Sequence, residues 1–185
     1  MSFSRQMRTK GNVMKQRNGL LVILLVAFLV SGSCSSEPAY DKKKFTKIES
    51  AAHAVQTSVK SGSYSQVADK VQKLSAEIAA LKGSVATAKE KQLLQAYTTL
   101  LSIYDDGLVL WKSELDFAFL ADQLKGSIYV NQDVDPLVEK YHFATESHLY
   151  KPTGQYWKSI SGDSMGIIWK HADSQMKTID NIANY

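Results

Sequence analysis

From Phe45 onward, apolar residues recur at steps of three and four, which is the spacing of one face of an α-helix. Two such stripes follow each other and are separated by Ser61-Gly62-Ser63. Gly62 is typical of a helix end, and Ser63 with Gln66 forms a capping box for a second helix. Because the turn is so short, the two helices are predicted to be antiparallel. Their apolar positions are Phe45, Ile48, Ala52, Val55 and Val59, then Tyr64, Val67, Val71, Leu74, Ile78 and Leu81.

A third apolar stripe, from about Val85 to Lys125, predicts a long helix. A second apolar row widens its face, so we expect this helix to be the central one. Asp105-Asp106-Gly107 brings in residues that favour turns, but the stripe keeps its register from Tyr104 to Trp111. We therefore predict a single helix, with this tripeptide as the place for a kink.

The C-terminal third begins with a predicted loop at Gly126–Val134. Asp135-Pro136 predicts the start of a helix, because Asp caps helices and Pro fits their first turn. This helix is expected to run to about Leu149 and to be ended by Pro152-Thr153-Gly154.

A last apolar stripe predicts a helix over residues 164–182. Together, the helical stripes predict an all-α fold, an antiparallel bundle of four to five helices with a long central helix. This bundle domain is expected to occupy residues 41–185.

A different pattern precedes the helices. Leu20–Val30 is a run of eleven apolar residues, preceded by five cations and no acidic residue and followed by Ser31-Gly32-Ser33. A positive segment, an apolar run and small residues in this order indicate an export signal. Eleven helical residues span only about 16 Å, roughly half of a bilayer's hydrocarbon core, so a transmembrane helix is not predicted.

Cys34, the only cysteine of the chain, follows these small residues directly. The segment resembles the signal of bacterial lipoproteins, where a lipobox of the type Leu-small-small-Cys comes before a lipidated thiol. The resemblance implies that residues 1–33 are removed, that Cys34 carries diacylglycerol and a further acyl chain such as palmitate, and that residues 34–40 form a short tether. A start at Met14 in place of Met1 leaves a compact signal.

The match departs from the lipobox at Ser31, where the family prefers an aliphatic residue. Ser31-Gly32-Ser33 also fits the small-x-small rule of ordinary signal peptidase, so secretion with a free thiol and a retained anchor stay open as alternatives. Ser35 replaces the Asp that retains many lipoproteins at the inner membrane. By that resemblance, the expected location is the bacterial cell envelope, facing the periplasm, with the outer membrane favoured over the inner one.

The net charge changes once the signal is set aside. Without the five signal cations, 17 Lys and Arg stand against 18 Asp and Glu, which gives a mature charge of −1. A nearly neutral domain gives no electrostatic reason to expect nucleic acid as a partner. With Cys34 as the only cysteine, no intramolecular disulfide can form, so stability must come from packing.

No catalytic motif is found in the sequence: there is no Gly-x-Ser-x-Gly, no phosphate-binding glycine loop and no Cys-x-x-Cys-His. Glu139 and His142 match the Glu-x-x-His string of metal-binding bundles, and Glu146 falls on the same helical face. Leu137 and Tyr141 place the core on the opposite face, however. We therefore predict a solvated polar face, with no metal site, no cofactor and no enzymatic activity.

Aromatic residues and three of the four histidines are concentrated between Tyr141 and His171. Such residues are enriched at binding sites, although they also fill the ends of bundles. The candidate ligand- or partner-binding residues are His148, Tyr156 and Trp157. For His148, which falls within the apolar stripe of the predicted helix, a hydrogen-bonded core residue is the alternative.

These features lead to two functional expectations. The first is a lipid-anchored periplasmic lipoprotein that acts as a non-catalytic interaction or assembly factor of the envelope. Its partners are then the membrane, through the anchor, and an envelope protein. The alternative is a sensor bundle that binds a small ligand, haem or a metal through its aromatic and histidine-rich C-terminal segment.

Overall fold

The computed structural model describes residues 40–118 and 126–184. The predicted signal and Cys34 lie outside these residues, as does the end of the predicted third helix at 119–125. The helices are α1 (Thr46–Ser61), α2 (Tyr64–Leu81), α3 (Ala88–Asp116), α4 (Asp135–Tyr141) and α5 (Ser164–Asn184). The strands are β1 (Ser127–Tyr129), β2 (Thr145–Tyr150) and β3 (Gln155–Ser161), and a 3-10 turn at Lys42–Phe45 precedes α1.

The predicted helical stripes form the larger hydrophobic cluster, in which α1, α2, α3 and the second half of α5 pack together. The helical turn between α1 and α2 is closed as expected, because Gln66 Oε1 accepts a hydrogen bond from Ser63 N at 3.0 Å. A second capping box, between Thr87 and Glu90, begins α3. Burial of a continuous apolar stripe on each helix supplies most of the stabilisation of this part.

Helix α3 runs without interruption through Asp105-Asp106-Gly107. Gly107 is buried and faces the indole ring of Trp169 on α5, so closely that a Cβ atom would lie 2.0 Å from Trp169 Cη2. The glycine is therefore explained by a close helix–helix contact and not by a turn. With 29 residues, α3 is about 43 Å long and contacts α2, α5 and β1.

The all-α prediction is wrong: the protein is mostly helical but also contains a three-stranded antiparallel sheet in the order β1-β3-β2. The helix predicted to reach Leu149 ends at Tyr141. His142 adopts a left-handed conformation with φ 53°, and Phe143 N donates to Val138 O at 3.1 Å. This helix-ending arrangement turns the chain into β2.

Pro152-Thr153-Gly154 lies in the turn of a β-hairpin and does not terminate a helix. Gly154 has φ +69°, and its N–H donates to Tyr150 O at 2.9 Å. Residues on both sides then pair as β2 and β3, from Tyr150 with Gln155 to Thr145 with Ile160. A glycine at positive φ is what such a hairpin turn requires.

The sheet is joined to the helices by a second hydrophobic cluster. Ile128 of β1 and Ile160 of β3 are directly paired, and both are buried against Leu110 of α3 and Ile168 of α5. The base of the sheet, where β1 and β3 meet, is thus part of the folded core.

Candidate functional site

The β2–β3 hairpin leaves the body of the protein beyond its base. Nearly every side chain of β2 is exposed, and this strand makes its main contacts with β3 alone. Ile160 and Ser159 of β3 are buried, whereas Gln155 and Tyr156 near the turn are exposed. The hairpin is therefore held at one end and open to solvent at the other.

Large apolar side chains gather at this open end. Among the described residues, five large hydrophobic side chains are exposed, and three of them lie on the hairpin: Leu149 at 49%, Tyr150 at 46% and Tyr156 at 74%. Leu149 and Tyr156 are directly opposite each other across the two strands, so they form one patch on one face. A cluster of exposed apolar residues is typical of an interaction surface. We call these three residues the hairpin tip.

A row of aromatic rings crosses the other face of the sheet, one ring from each strand. His148 of β2 stacks on Trp157 of β3 with 4.1 Å between ring centroids. Trp157 lies 6.0 Å from Tyr129 of β1, and Tyr129 lies 4.6 Å from Phe117. These contacts link the hairpin to β1 and to the end of α3, because each ring touches the next one in the row.

His148 is held within this row by its polar atoms as well. Its Nε2 lies 2.8 Å from Ser159 Oγ, and Glu146 Oε2 is 3.9 Å away. The ring is about one third exposed and is engaged by a stacking contact and a hydrogen bond. In this position His148 helps to order the sheet. A surface groove beside Trp157 and Tyr129 is open to solvent.

The hairpin also presents backbone groups. Since β2 lies at the edge of the sheet, its outer side pairs with no other strand in the described part of the chain. On the other side of the hairpin, β1 leaves β3 after the bond from Val130 N to Lys158 O at 2.9 Å. The β3 edge at Tyr156 is therefore open too, next to a groove of about 390 Å³ that reaches Asp135. Free strand edges are templates for pairing with another extended segment.

The three binding residues predicted from the sequence all lie on this hairpin. His148 and Trp157 belong to the ring row, whereas Tyr156 lies on the opposite face with Leu149. Sequence reasoning missed Leu149 and Tyr150, because it placed them at the end of a helix. The Pro-x-Gly turn followed by the β-favouring Tyr156 and Trp157 was the signal for a hairpin.

The possible metal ligands weighed from the sequence are on three different parts of the fold. Glu139 lies on α4, His142 follows its end and Glu146 belongs to β2, so the shared helical face does not exist. Over residues 40–118 and 126–184, no group of three or more His, Cys, Asp and Glu is placed to hold a metal ion.

A small cavity of about 170 Å³ lies elsewhere, between α1, α3 and α5. Tyr104 and Trp169 line it, together with Asp173, whose carboxylate accepts a hydrogen bond from Gln56 Nε2 at 2.8 Å. The buried Tyr104 hydroxyl has no hydrogen-bond partner among the described protein groups. Burial, with a smaller effect of Asp173, raises the pKa of Tyr104 above its ordinary value, so the phenol stays neutral.

Compared with known protein families, curated proteins and solved structures, the chain matches none. Across the residues that the structure describes, no helix combines the length and hydrophobicity needed to cross a membrane.

Proposed function

We propose that the protein is a lipid-anchored, non-catalytic interaction factor of the bacterial envelope, and that its β2–β3 hairpin binds a protein partner. Cys34 would carry the anchor, as its resemblance to a lipoprotein signal implies. The proposal that the hairpin binds a partner rests on the hairpin tip, where Leu149, Tyr150 and Tyr156 are exposed together near the open end of the hairpin.

The burial pattern supports binding over a purely structural role. If the aromatic residues of this segment served only to fill the end of a bundle, they would be buried, as Phe143 and Tyr104 are. Tyr156 instead exposes 74% of its surface. Tyrosine combines a large apolar area with a polar group and few rotatable bonds, which makes it a common anchor in protein interfaces.

The form of the hairpin indicates how a partner would bind. An extended segment of an envelope protein can add a strand along the free edge of β2, where backbone N–H and C=O groups point outward. Apolar side chains of that segment would then cover Leu149 and Tyr156. Main-chain pairing supplies affinity in this mode, and the side-chain contacts supply specificity.

Substitution at the tip tests the binding surface. In cells, the double variant Leu149→Ser/Tyr156→Ser should lose the crosslinked envelope partner that the wild-type chain captures, because the apolar patch is removed. The matched control is Ile167→Ser, which changes an exposed apolar residue that belongs to α5 and not to the hairpin. If the double variant still captures the partner, or if the control loses the partner to the same extent, the hairpin is not the interface.

Substitution of Cys34 tests the anchor. Cys34→Ala should abolish labelling with radioactive palmitate and move the protein from the membrane fraction to the soluble fraction, since the thiol is the only site for the thioether. Unchanged membrane retention of this variant would show that the chain is held by something other than a lipidated cysteine.

A further inference from the structure

The two ends of the helical part carry opposite charge. Residues 42–47 and 82–91 contain seven lysines and one acidic residue, Glu90. Residues 105–116 and 133–140 contain seven acidic residues and two lysines, of which Lys112 pairs with Asp116 and Lys140 with Asp106. A mature chain that is nearly neutral overall is thus divided into a basic and an acidic region.

Contacts bring the two lysine-rich segments together into one surface, the basic end. Lys44 Nζ donates to Ser84 O at 3.3 Å and pairs with Glu90 at 2.9 Å. Lys89 Nζ lies 4.4 Å from the centre of the Tyr40 ring. The 3-10 turn before α1 and the connection between α2 and α3 are therefore neighbours.

Most of the charge at the basic end is available to a ligand. Five of its seven lysines are exposed and make no ion pair with any described residue: Lys42, Lys43, Lys47, Lys82 and Lys91. Of the nearby carboxylates, Glu90 is buried and paired with Lys44, and Asp41 accepts a hydrogen bond from Lys43 N. Glu49 on the first turn of α1, Glu77 in the groove beside Lys47 and Asp180 near Tyr97 bring the carboxylates around this end to five, so the seven lysines leave an excess of positive charge.

The basic end is also where the chain comes from the predicted anchor. Tyr40 is held there by Phe45 and Lys89, and it lies only six positions after Cys34 in the sequence. Six extended residues reach at most about 20 Å, so a lipidated Cys34 keeps this end close to the headgroups. Electrostatic attraction acts over a Debye length of about 8 Å at physiological ionic strength.

We propose that the basic end docks on anionic phospholipid headgroups and orients the domain on the membrane. In a cell, this orientation depends on the proposed lipid anchor at Cys34. The affinity for anionic lipid comes from the lysines and does not require the anchor. Helix α3 leads from Lys89 and Lys91 to Asp116, a distance of about 40 Å. The acidic region and the hairpin tip then lie far from the anionic surface, where a partner can reach them.

Vesicle binding by the chain from Ser36 onward tests this proposal without the anchor and without the hairpin's partner. The buried residues of both hydrophobic clusters lie within residues 45–179, and the partly buried residues around them within 40–183, so this fragment contains the whole described core. It should bind vesicles of phosphatidylcholine with phosphatidylglycerol, bind vesicles of phosphatidylcholine alone much more weakly, and be released by added salt.

Charge reversal at the basic end should remove this affinity. Each lysine near an anionic surface contributes roughly a fivefold factor, so Lys42→Glu/Lys43→Glu should weaken binding by at least about tenfold. The matched control is Lys151→Glu/Lys158→Glu on the hairpin, which changes the net charge equally and should bind like the parent fragment. Binding that is indifferent to phosphatidylglycerol, or that is lost in the hairpin variant, would overturn the proposal.

Orientation has a separate optical readout. Trp111, Trp157 and Trp169 all lie away from the basic end, in the region of the second half of α3. Brominated phosphatidylglycerol should therefore leave the tryptophan fluorescence of the bound fragment nearly unchanged. Strong quenching would place the hairpin or its surroundings at the membrane and contradict the proposed orientation.

Discussion

At the scale of single residues, Gly107 shows how one missing side chain sets the packing of two helices. Its position allows the Trp169 indole to lie directly against the backbone of α3. In a free helix, Gly→Ala is worth up to about 1 kcal/mol of extra stability. Here the added methyl group would lie 2.0 Å from the ring, so the steric clash should outweigh this gain in helix stability.

We expect Gly107→Ala to lower the free energy of unfolding by about 1–3 kcal/mol, as overpacking does in a close-packed core. Gly166 provides the contrast, because it lies on α5 with nothing within 4 Å of an added Cβ. Gly166→Ala should therefore keep or slightly raise stability in urea denaturation. A change in the free energy of unfolding that has the same sign in both variants would contradict the Trp169 contact.

Glu90 gives a pH-dependent contribution to stability. Backbone N–H groups of Ala86 and Thr87 and the Lys44 ammonium lower its pKa to about 2 from 4.5. Because the folded state binds this proton more weakly than the unfolded state, the stabilisation is complete above about pH 4.5 and is lost as the pH falls toward 2.

Glu90→Gln should accordingly be less stable than the wild type in urea denaturation near neutral pH, and the difference should shrink as the pH falls from about 4.5 toward 2. Lys43, which is exposed and near the same turn, supplies the control, since Lys43→Gln should change stability little at any pH. A difference between wild type and Glu90→Gln that stays constant over this pH range would contradict the assignment.

At the scale of secondary-structure elements, the helices with a regular stripe were predictable, whereas the hairpin was marked only by its Pro-x-Gly turn and the two aromatic residues that follow it. The stripe of α2, from Val67 to Leu81, is buried as its spacing required. In β2 the residues are exposed on both faces, so no hydrophobic alternation marks a strand. The start of α4 at Asp135-Pro136 could be predicted from the sequence. Its early end could not, because it depends on the left-handed backbone of His142, and sequence rules do not single out histidine for that conformation.

The tip and the base of the hairpin should respond differently to substitution. Tyr156→Ala removes a ring that is 74% exposed and should change the free energy of unfolding by no more than about 0.5 kcal/mol. Ile160→Ala, at a side chain that is 1% exposed, should cost about 2–5 kcal/mol. Comparable losses in thermal or urea denaturation would mean that Tyr156 is a packing residue.

At the scale of the whole molecule, the larger hydrophobic cluster could be derived from the sequence, whereas the smaller one could not. Stripe residues such as Leu74, Tyr97 and Leu100 have their partners on neighbouring helices of the same period. Ile128 and Ile160 are brought together by strand pairing across 32 positions of sequence. A long-range register of this kind leaves no local pattern in either segment.

The chain from Ser36 onward should fold as a mostly helical domain whose unfolding does not depend on reductant. Cys34, the only cysteine of the chain, lies before Ser36, so this fragment contains no cysteine and no disulfide contributes to its stability. Circular dichroism should show a dominant helical spectrum, and urea denaturation midpoints should coincide with and without dithiothreitol. A spectrum dominated by strand would contradict the fold.

Site-specific photo-crosslinking in the cell tests most directly whether the hairpin tip is the binding surface. A photoreactive residue replaces Tyr156 in one variant and Gln72, an exposed position on α2, in the other. We predict a discrete crosslinked envelope protein from position 156, absent from position 72 and lost when Leu149→Ser is added. A crosslink of equal strength from both positions, or from position 72 alone, would contradict the account.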